Sequence, residues 1–188
     1  MFSHIISDDL HLEILEIRHS EELFSLCDNN RDYLREWLPW VDETVSVKHS
    51  KDFIQFSLNL FANNNGFSAG IFYKDNLVGC IGLNSIDWPN KKTSIGYWLA
   101  EEHQGKGIMT RVCKVIINYV FRDLALNRVE IRAAKQNLKS RAIPEKLNFI
   151  NEGIVRQAEW LYDHYVDHVI YGMLIEDWKS NEFSKSIP

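Results

Sequence analysis

Leu10, Leu12 and Ile14 alternate with His11 and Glu13, the period of two that predicts a half-buried strand from Leu10 to Arg18. The period then changes. Ser20 is a candidate N-cap for a helix carrying Leu23, Leu26, Cys27, Leu34 and Leu38, which Pro39 ends or bends. A second helix, about Lys48 to Asn63, rests on Phe53, Ile54, Leu58 and Phe61, and the run Asn63-Asn64-Asn65-Gly66 stops it. Three strands follow, Phe67–Tyr73, Leu77–Trp88 and Thr93–Leu99, joined by turns at Lys74-Asp75-Asn76 and Pro89-Asn90-Lys91. In the second of them both alternating sets are apolar or small (Leu77, Ile81, Leu83 and Val78, Cys80, Gly82), so that strand is expected to be covered on both faces.

From Ile108 to about Leu124 the apolar residues Ile108, Val112, Val115, Ile116, Tyr119 and Val120 recur at helical spacing, with Arg111, Lys114, Asn118 and Arg122 opposite. A strand at Arg128–Ala134 comes next. A last pair, Gly153–Tyr162 and Tyr165–Ile175, turns near Asp163-His164, and Ser180–Pro188 reads as a loose tail. The order is α/β: helices covering a mixed, mostly antiparallel sheet in one domain spanning residues 1–188.

The densest chemical signal lies between the third of those central strands and the helix at Ile108. Gln104-Gly105-Lys106-Gly107-Ile108-Met109-Thr110 opens a helix, whose first backbone N–H groups have no intrahelical partner and sit at the positive end of its dipole. Glycines let that backbone approach an anion, so the stretch is expected to hold a phosphate-bearing ligand. It is neither a Walker loop, since Thr110 does not follow a Gly-Lys pair, nor a dinucleotide fingerprint, whose third glycine is missing.

Composition narrows the classes further. A chain of 188 residues with a 45% hydrophobic share suits one domain with a real core, and a net charge of −5 with no long basic run argues against a nucleic-acid surface. Mild acidity favours cationic acceptors. No leader-like segment and no apolar run near eighteen residues is present, so neither secretion nor a membrane span is expected. Cys27, Cys80 and Cys113 read as reduced core thiols of a cytoplasmic protein, not as nucleophiles. His164 and His168 lack a third ligand at sensible spacing, and no metal is expected.

The loop at Gln104–Thr110 resembles the Q/R-x-x-G-x-G/A loop of the GCN5-related N-acetyltransferases (GNAT), with Met109 where that family usually has glycine or alanine. Asn137-Leu138-Lys139-Ser140 through Lys146-Leu147-Asn148-Phe149 is similar to a second segment of that family. Asn148 replaces the usual glycine of that segment, and Pro144 stands where many members carry a tyrosine general acid. Asn30–Trp40 and Gln157–Asp163 resemble the RimJ/RimL type, which acts on N-termini of ribosomal proteins.

The resemblance implies an acetyltransferase fold with a sheet splayed at its centre. It implies acetyl-CoA held by Trp98, Leu99, Ala100, Gln104, Gly105, Lys106, Gly107, Ile108, Met109, Thr110 and Asn137. Relatives commonly self-associate. Glu159 is the candidate base, or else a solvent-facing strand residue; Ser140 is the candidate acid, or else a helix N-cap. Tyr33, Trp37 and Trp40 are candidate walls of an acceptor groove, or packing, with Asp42 and Glu43 drawing in the cation. Backbone N–H groups near Leu99 and Ala100 are candidates to polarise the thioester carbonyl. The expected reaction is acetyl transfer to a protein N-terminal amine, with ribosomal proteins among the candidates. A small-molecule amine as acceptor, or a non-catalytic acetyl-CoA-binding module, are the other readings.

Overall fold

A computed structural model describes residues 3–180. Eight strands form one sheet in the order β1-β2-β3-β4-β5-β6-β8-β7, with β1 Ser3–Ser7, β2 Leu10–Ile14, β3 Phe67–Tyr73, β4 Asn76–Asp87, β5 Lys92–Leu99, β6 Arg128–Ala134, β7 Ile150–Leu161 and β8 His164–Leu174. Six helices flank it: α1 Ser20–Asn29, α2 Arg31–Arg35, α3 Val47–Ala62, α4 Ile108–Arg122, α5 Leu138–Lys146 and α6 Ile175–Ser180. Every neighbouring pair is antiparallel apart from β5–β6, which is parallel and paired only from Lys92 to Ile95 against Arg128 to Ile131. Beyond Ile95, β5 stays with β4 as far as Leu99 while β6 stays with β8 as far as Ala134. The two strands therefore part, and the sheet opens at its centre.

The α4 stripe packs on one face of the sheet against Val78, Ile81 and Leu83, and a smaller cluster of Leu23, Cys27 and Ile54 from α1 and α3 covers Leu77 and Cys80 on the other. Strand β4 is thus covered on both faces, as its composition predicts, but the expected phase is wrong. Between β3 and β4 the register passes from Ile71↔Gly79 to Phe72↔Leu77, leaving Val78 as an extra residue. A bulge of that kind inverts the alternation, which puts Leu77 on the face of Cys80 instead of that of Ile81.

Four expectations about element limits and caps are corrected as well. The strand predicted over Leu10–Arg18 stops at Ile14, because Glu16 and His19 tie off a 3₁₀ turn in which the Glu16 N–H donates to His19 Nδ1 at 3.0 Å. The helix expected across Ser20–Leu38 breaks at Asn30, whose side chain donates to the Leu26 carbonyl at 2.9 Å and accepts the Glu101 N–H at 3.0 Å. Asparagine competes with the helix ladder for backbone groups, and here it spends one of its bonds on a distant loop. His19, not Ser20, occupies the N-cap position of α1.

The fourth correction concerns the C-terminal end, where α6 takes the place of the end of the last predicted strand and the start of the predicted tail. Residues 181–188 of that tail lie outside the described residues. Trp178 of α6 packs 5.5 Å from the Phe121 ring and donates its indole N–H to Asn118 Oδ1 at 2.7 Å. Asn118, assigned from periodicity to the polar face of α4, is consequently buried. Removing its acceptor strands the indole N–H in the core. Asn118→Ala should therefore lower the unfolding free energy by about 1–3 kcal/mol, read from urea denaturation; an unchanged midpoint would show that the bond carries no stability.

Candidate active site

Where β5 and β6 separate, a cleft of about 550 Å³ forms. Its floor and sides come from β5, the loop before α4, and α5. In an antiparallel ladder the residues of successive pairs turn their backbone groups alternately toward and away from the partner strand. The Ala100 N–H donates to the Val78 carbonyl at 2.8 Å, which makes Gly79↔Leu99 a pair whose own N–H and C=O face outward. Leu99 therefore presents its N–H to the cleft, and that of Ala100 is already taken. Of the two candidate donors to a carbonyl oxygen, the geometry leaves Leu99.

At the mouth of α4, Gly105 and Gly107 have φ of +71° and +72°, left-handed values that favour glycine. A Cβ at either would meet nothing within 4 Å, so both face open space. Gly107 is the N-cap of α4 and no side chain caps the helix, which leaves its leading N–H groups aimed at the cleft. Two buried polar atoms beside them, Gln104 Oε1 and His103 Nδ1, have no hydrogen-bond partner among the described residues. Uncapped N–H groups, open glycines and unpartnered polar atoms together make an arrangement able to receive an anion such as a pyrophosphate.

Met109, the departure from the family loop, does not crowd it. Although it touches the cleft, Met109 is 6% exposed and belongs to the core under the sheet.

The face of α5 turned to the cleft is Lys139, Ala142, Ile143 and Lys146, the i, i+3, i+4, i+7 set of one helical stripe. Helical spacing sets the four on one face, but two lysines, an alanine and an isoleucine form no apolar stripe to mark it, so sequence reading missed them; the two lysines add positive charge beside the loop. Asn137 is the N-cap of α5, accepting the Ser140 N–H at 3.0 Å. Ser140 is therefore not the cap, and its hydroxyl lies 3.4 Å from that of Tyr97.

The predicted site residues divide into three groups. Trp98, Leu99, Gln104, Gly105, Gly107 and Ile108 line the cleft, as do Met109, Thr110, Asn137 and Ser140. Tyr33 and Trp37 line it too, and Gln104 donates its amide N–H to the Tyr33 hydroxyl. Burial pushes the Tyr33 phenol above its ordinary pKa. Trp40 instead lines a second cavity of about 410 Å³ on the α1–α3 side, packed 6.1 Å from the Trp98 ring. The two cavities share Leu38, Tyr97 and Trp98.

Ala100, Lys106, Asp42, Glu43 and Glu159 line neither cavity. Asp42 is held by Arg35 through contacts of 2.8, 2.9 and 3.1 Å, and those hydrogen bonds keep its carboxyl below the usual carboxylate pKa. Its charge is already matched. Glu159 sits just past a bulge in β7 and lies 3.3 Å from His168 Nε2 on β8. The second cavity was missed at the sequence level; Phe53, Ser50 and Asn84, which line it, carry no motif and meet only in the fold.

The three cysteines are buried and unpaired. Burial pushes the Cys27 thiol up to about 12 and raises those of Cys80 and Cys113 as well, so all three are protonated near neutrality and unfit as nucleophiles.

Comparison with known proteins places these features. The sequence model of the acetyltransferase (GNAT) domain matches residues 9–150. YdaF of Bacillus subtilis (strain 168), named as a candidate ribosomal N-acetyltransferase, is 36% identical over 97% of this chain and 100% of its own. The ribosomal-protein-serine acetyltransferase of Escherichia coli (strain K12) is 31% identical over 91% of this chain and 96% of its own. The structure of RimL, a ribosomal L7/L12 α-N-protein acetyltransferase in complex with coenzyme A, superposes with a TM-score of 0.90 at 27% identity, covering 94% of this chain and 99% of that one.

Gly107→Ala tests the cradle. A Cβ there enters the anion site and forces a left-handed alanine, so affinity for coenzyme A should fall about tenfold and stability by about 1–2 kcal/mol. Calorimetric titration checks the first; an unchanged affinity would place the phosphates elsewhere.

Proposed function

This chain belongs to the acetyltransferase (GNAT) family, and from that premise we propose that its acceptor is the free α-amino group at the N-terminus of a protein, with ribosomal proteins the class to test first. It is an N-acetyltransferase with acetyl-CoA as cosubstrate. The observation that carries the choice of acceptor is the second cavity. It meets the cofactor cleft at Leu38, Tyr97 and Trp98, and no Asp, Glu, Lys or Arg is among its lining residues.

A cavity with no carboxylate on its wall disfavours a polyamine or a lysine side chain. A second ammonium group would lie there unpaired, and a lysine amine, with a pKa of about 10.4, needs strong help to lose its proton. An α-amine, with a pKa of about 8, loses it near neutrality, and a small uncharged first residue suits Ser50, Ser68, Thr44 and Asn84 on the wall. The names of the relatives point to the same class of acceptor.

Bound acetyl-CoA supplies an activated acyl group: the amine nitrogen bonds the carbonyl carbon, the carbon–sulfur bond breaks, the amine loses a proton and the sulfur gains one. The remaining work falls to the chain. The Leu99 N–H, turned away from β4 and toward the cleft, would stabilise charge growing on a carbonyl oxygen held there. Ser140 donates the proton toward the sulfur, and Glu159, which lies 3.3 Å from His168 Nε2 and outside the lining of the cleft, takes up the amine proton through water. A cytoplasmic setting accords with this acceptor and with the buried reduced thiols.

The test is thiol release from acetyl-CoA with peptides bearing free serine, alanine or methionine N-termini, set against a panel of small amines. Turnover with the peptides alone is expected, and turnover confined to the small amines would overturn the reading. Ser140→Ala and Glu159→Gln should each lower kcat by about 10²-fold while the KM for acetyl-CoA stays nearly constant. Full turnover in both variants would remove them from the chemistry.

A further inference from the structure

Pro144 lies inside α5 with no N–H to give. In a regular helix the donor four residues on closes each carbonyl, so the carbonyl that Pro144 leaves open is that of Ser140. The hydroxyl of Tyr97 donates to this same carbonyl at 2.9 Å. Tyr97 is the second residue of β5 beyond the point where β6 turns away, which is why its side chain reaches across to α5. Its phenol oxygen also lies 3.4 Å from Ser140 Oγ, at the long end of hydrogen-bonding range, in position to accept from it.

From this geometry we infer that Tyr97 is a positioning residue for acyl transfer: its hydroxyl replaces the helix donor that Pro144 lacks and so fixes the serine that faces the cofactor cleft. The inference rests on the reading of Ser140 as the proton donor.

Ser140 is then held from both ends of its backbone, the N–H by Asn137 and the C=O by Tyr97. The backbone from which its hydroxyl projects is thereby fixed against the cleft. Burial raises the Tyr97 phenol well above the ordinary tyrosine range, so it stays protonated and remains a donor at any pH at which the enzyme works. Tyr97 also lines both cavities. The group that locks Ser140 thus stands where the cofactor cleft meets the cavity assigned to the acceptor, and loss of the phenol oxygen should be felt in turnover more than in binding. The tyrosine that many family members place at the position of Pro144 is gone, and a hydroxyl from the facing strand stabilises the serine that remains.

The experiment compares Tyr97→Phe, Pro144→Ala and the double variant, with a serine-terminated peptide as acceptor. Tyr97→Phe should cut kcat about tenfold while the KM for acetyl-CoA and the affinity for coenzyme A hold within about twofold. Pro144→Ala restores a backbone N–H to the Ser140 carbonyl, so in that background Tyr97→Phe should cost little; this rescue is the decisive readout. A double variant as slow as Tyr97→Phe alone, with its helix content and coenzyme A affinity intact, would overturn the proposal, since the phenol would then act in some way other than through that carbonyl. So would wild-type turnover in Tyr97→Phe. Should Tyr97→Phe prove too unstable to assay, the double variant against Pro144→Ala alone still decides: near-equal kcat supports the proposal and a tenfold gap refutes it. Ser140→Ala separates the two levels. If it is slow and Tyr97→Phe is not, only the positioning role falls; if it turns over normally, the reading of Ser140 falls and the positioning role falls with it.

Discussion

The site depends on a ladder that stops. Strands β5 and β6 pair in parallel over four residues each, Lys92–Ile95 and Arg128–Ile131, and then follow different partners. An antiparallel pair can continue through a short hairpin, but a parallel pair has to be reached by a long crossover, here the whole of α4. The crossover therefore begins at the end of β5, and the N-terminus of its helix lands beside the gap that the parting strands create. Two features, an outward-facing backbone at Leu99 and an uncapped helix end at Gly107, arrive at one place for one topological reason.

Around that gap, contacts from distant parts of the chain set the shape of the cleft. Asn30, at the break between α1 and α2, accepts from the Glu101 N–H; Tyr33, three residues on, takes the Gln104 amide. Both tie the α1–α2 corner to the loop that precedes α4. From the opposite side Tyr162, in the β7–β8 turn, donates to the Leu38 carbonyl at 2.5 Å, and its ring lies 3.9 Å under the Arg35 guanidinium. Leu38 lines both cavities, so the turn fixes a wall that they share. The Arg35–Asp42 pair is exposed and contributes little to stability, but it removes Asp42 as a free charge at this rim.

The departures from the family pattern are absorbed in different ways. Met109 turns its bulk into the core beneath the sheet, where a flexible thioether packs easily, and the two glycines before it keep the cradle open. Asn148 takes φ of +62° after α5, a left-handed position that asparagine tolerates better than most residues. Pro144 removes a backbone donor, and the fold supplies another in Tyr97. Cys27 and Cys80 are buried against the small cluster on the α1–α3 side, inert as thiols, beside the cavity assigned to the acceptor.

The sequence by itself determined most of the elements, the glycine loop ahead of α4 and the family. Strands β3 and β6 fall at their predicted limits, and most of the others lie within a few residues of theirs, because a period of two or of 3.6 is carried by residues close together in the chain. The loop at Gln104–Thr110 was recognisable for the same reason, since its chemistry lies in consecutive backbone groups.

Only the tertiary structure decided the rest. The bulge at Val78 shifts a whole strand face by one residue, and nothing in a run that is apolar on both faces marks where the phase turns. The burial of Asn118 needed α6, and the break at Asn30 needed Glu101. The second cavity and the Tyr97–Ser140 contact join groups far apart in sequence, 43 positions in the latter case and 124 for Tyr162 and Leu38. Local patterning fixes which way a side chain points from its own element. Which distant group it meets there is settled by how the elements pack, and that information is spread over the whole chain.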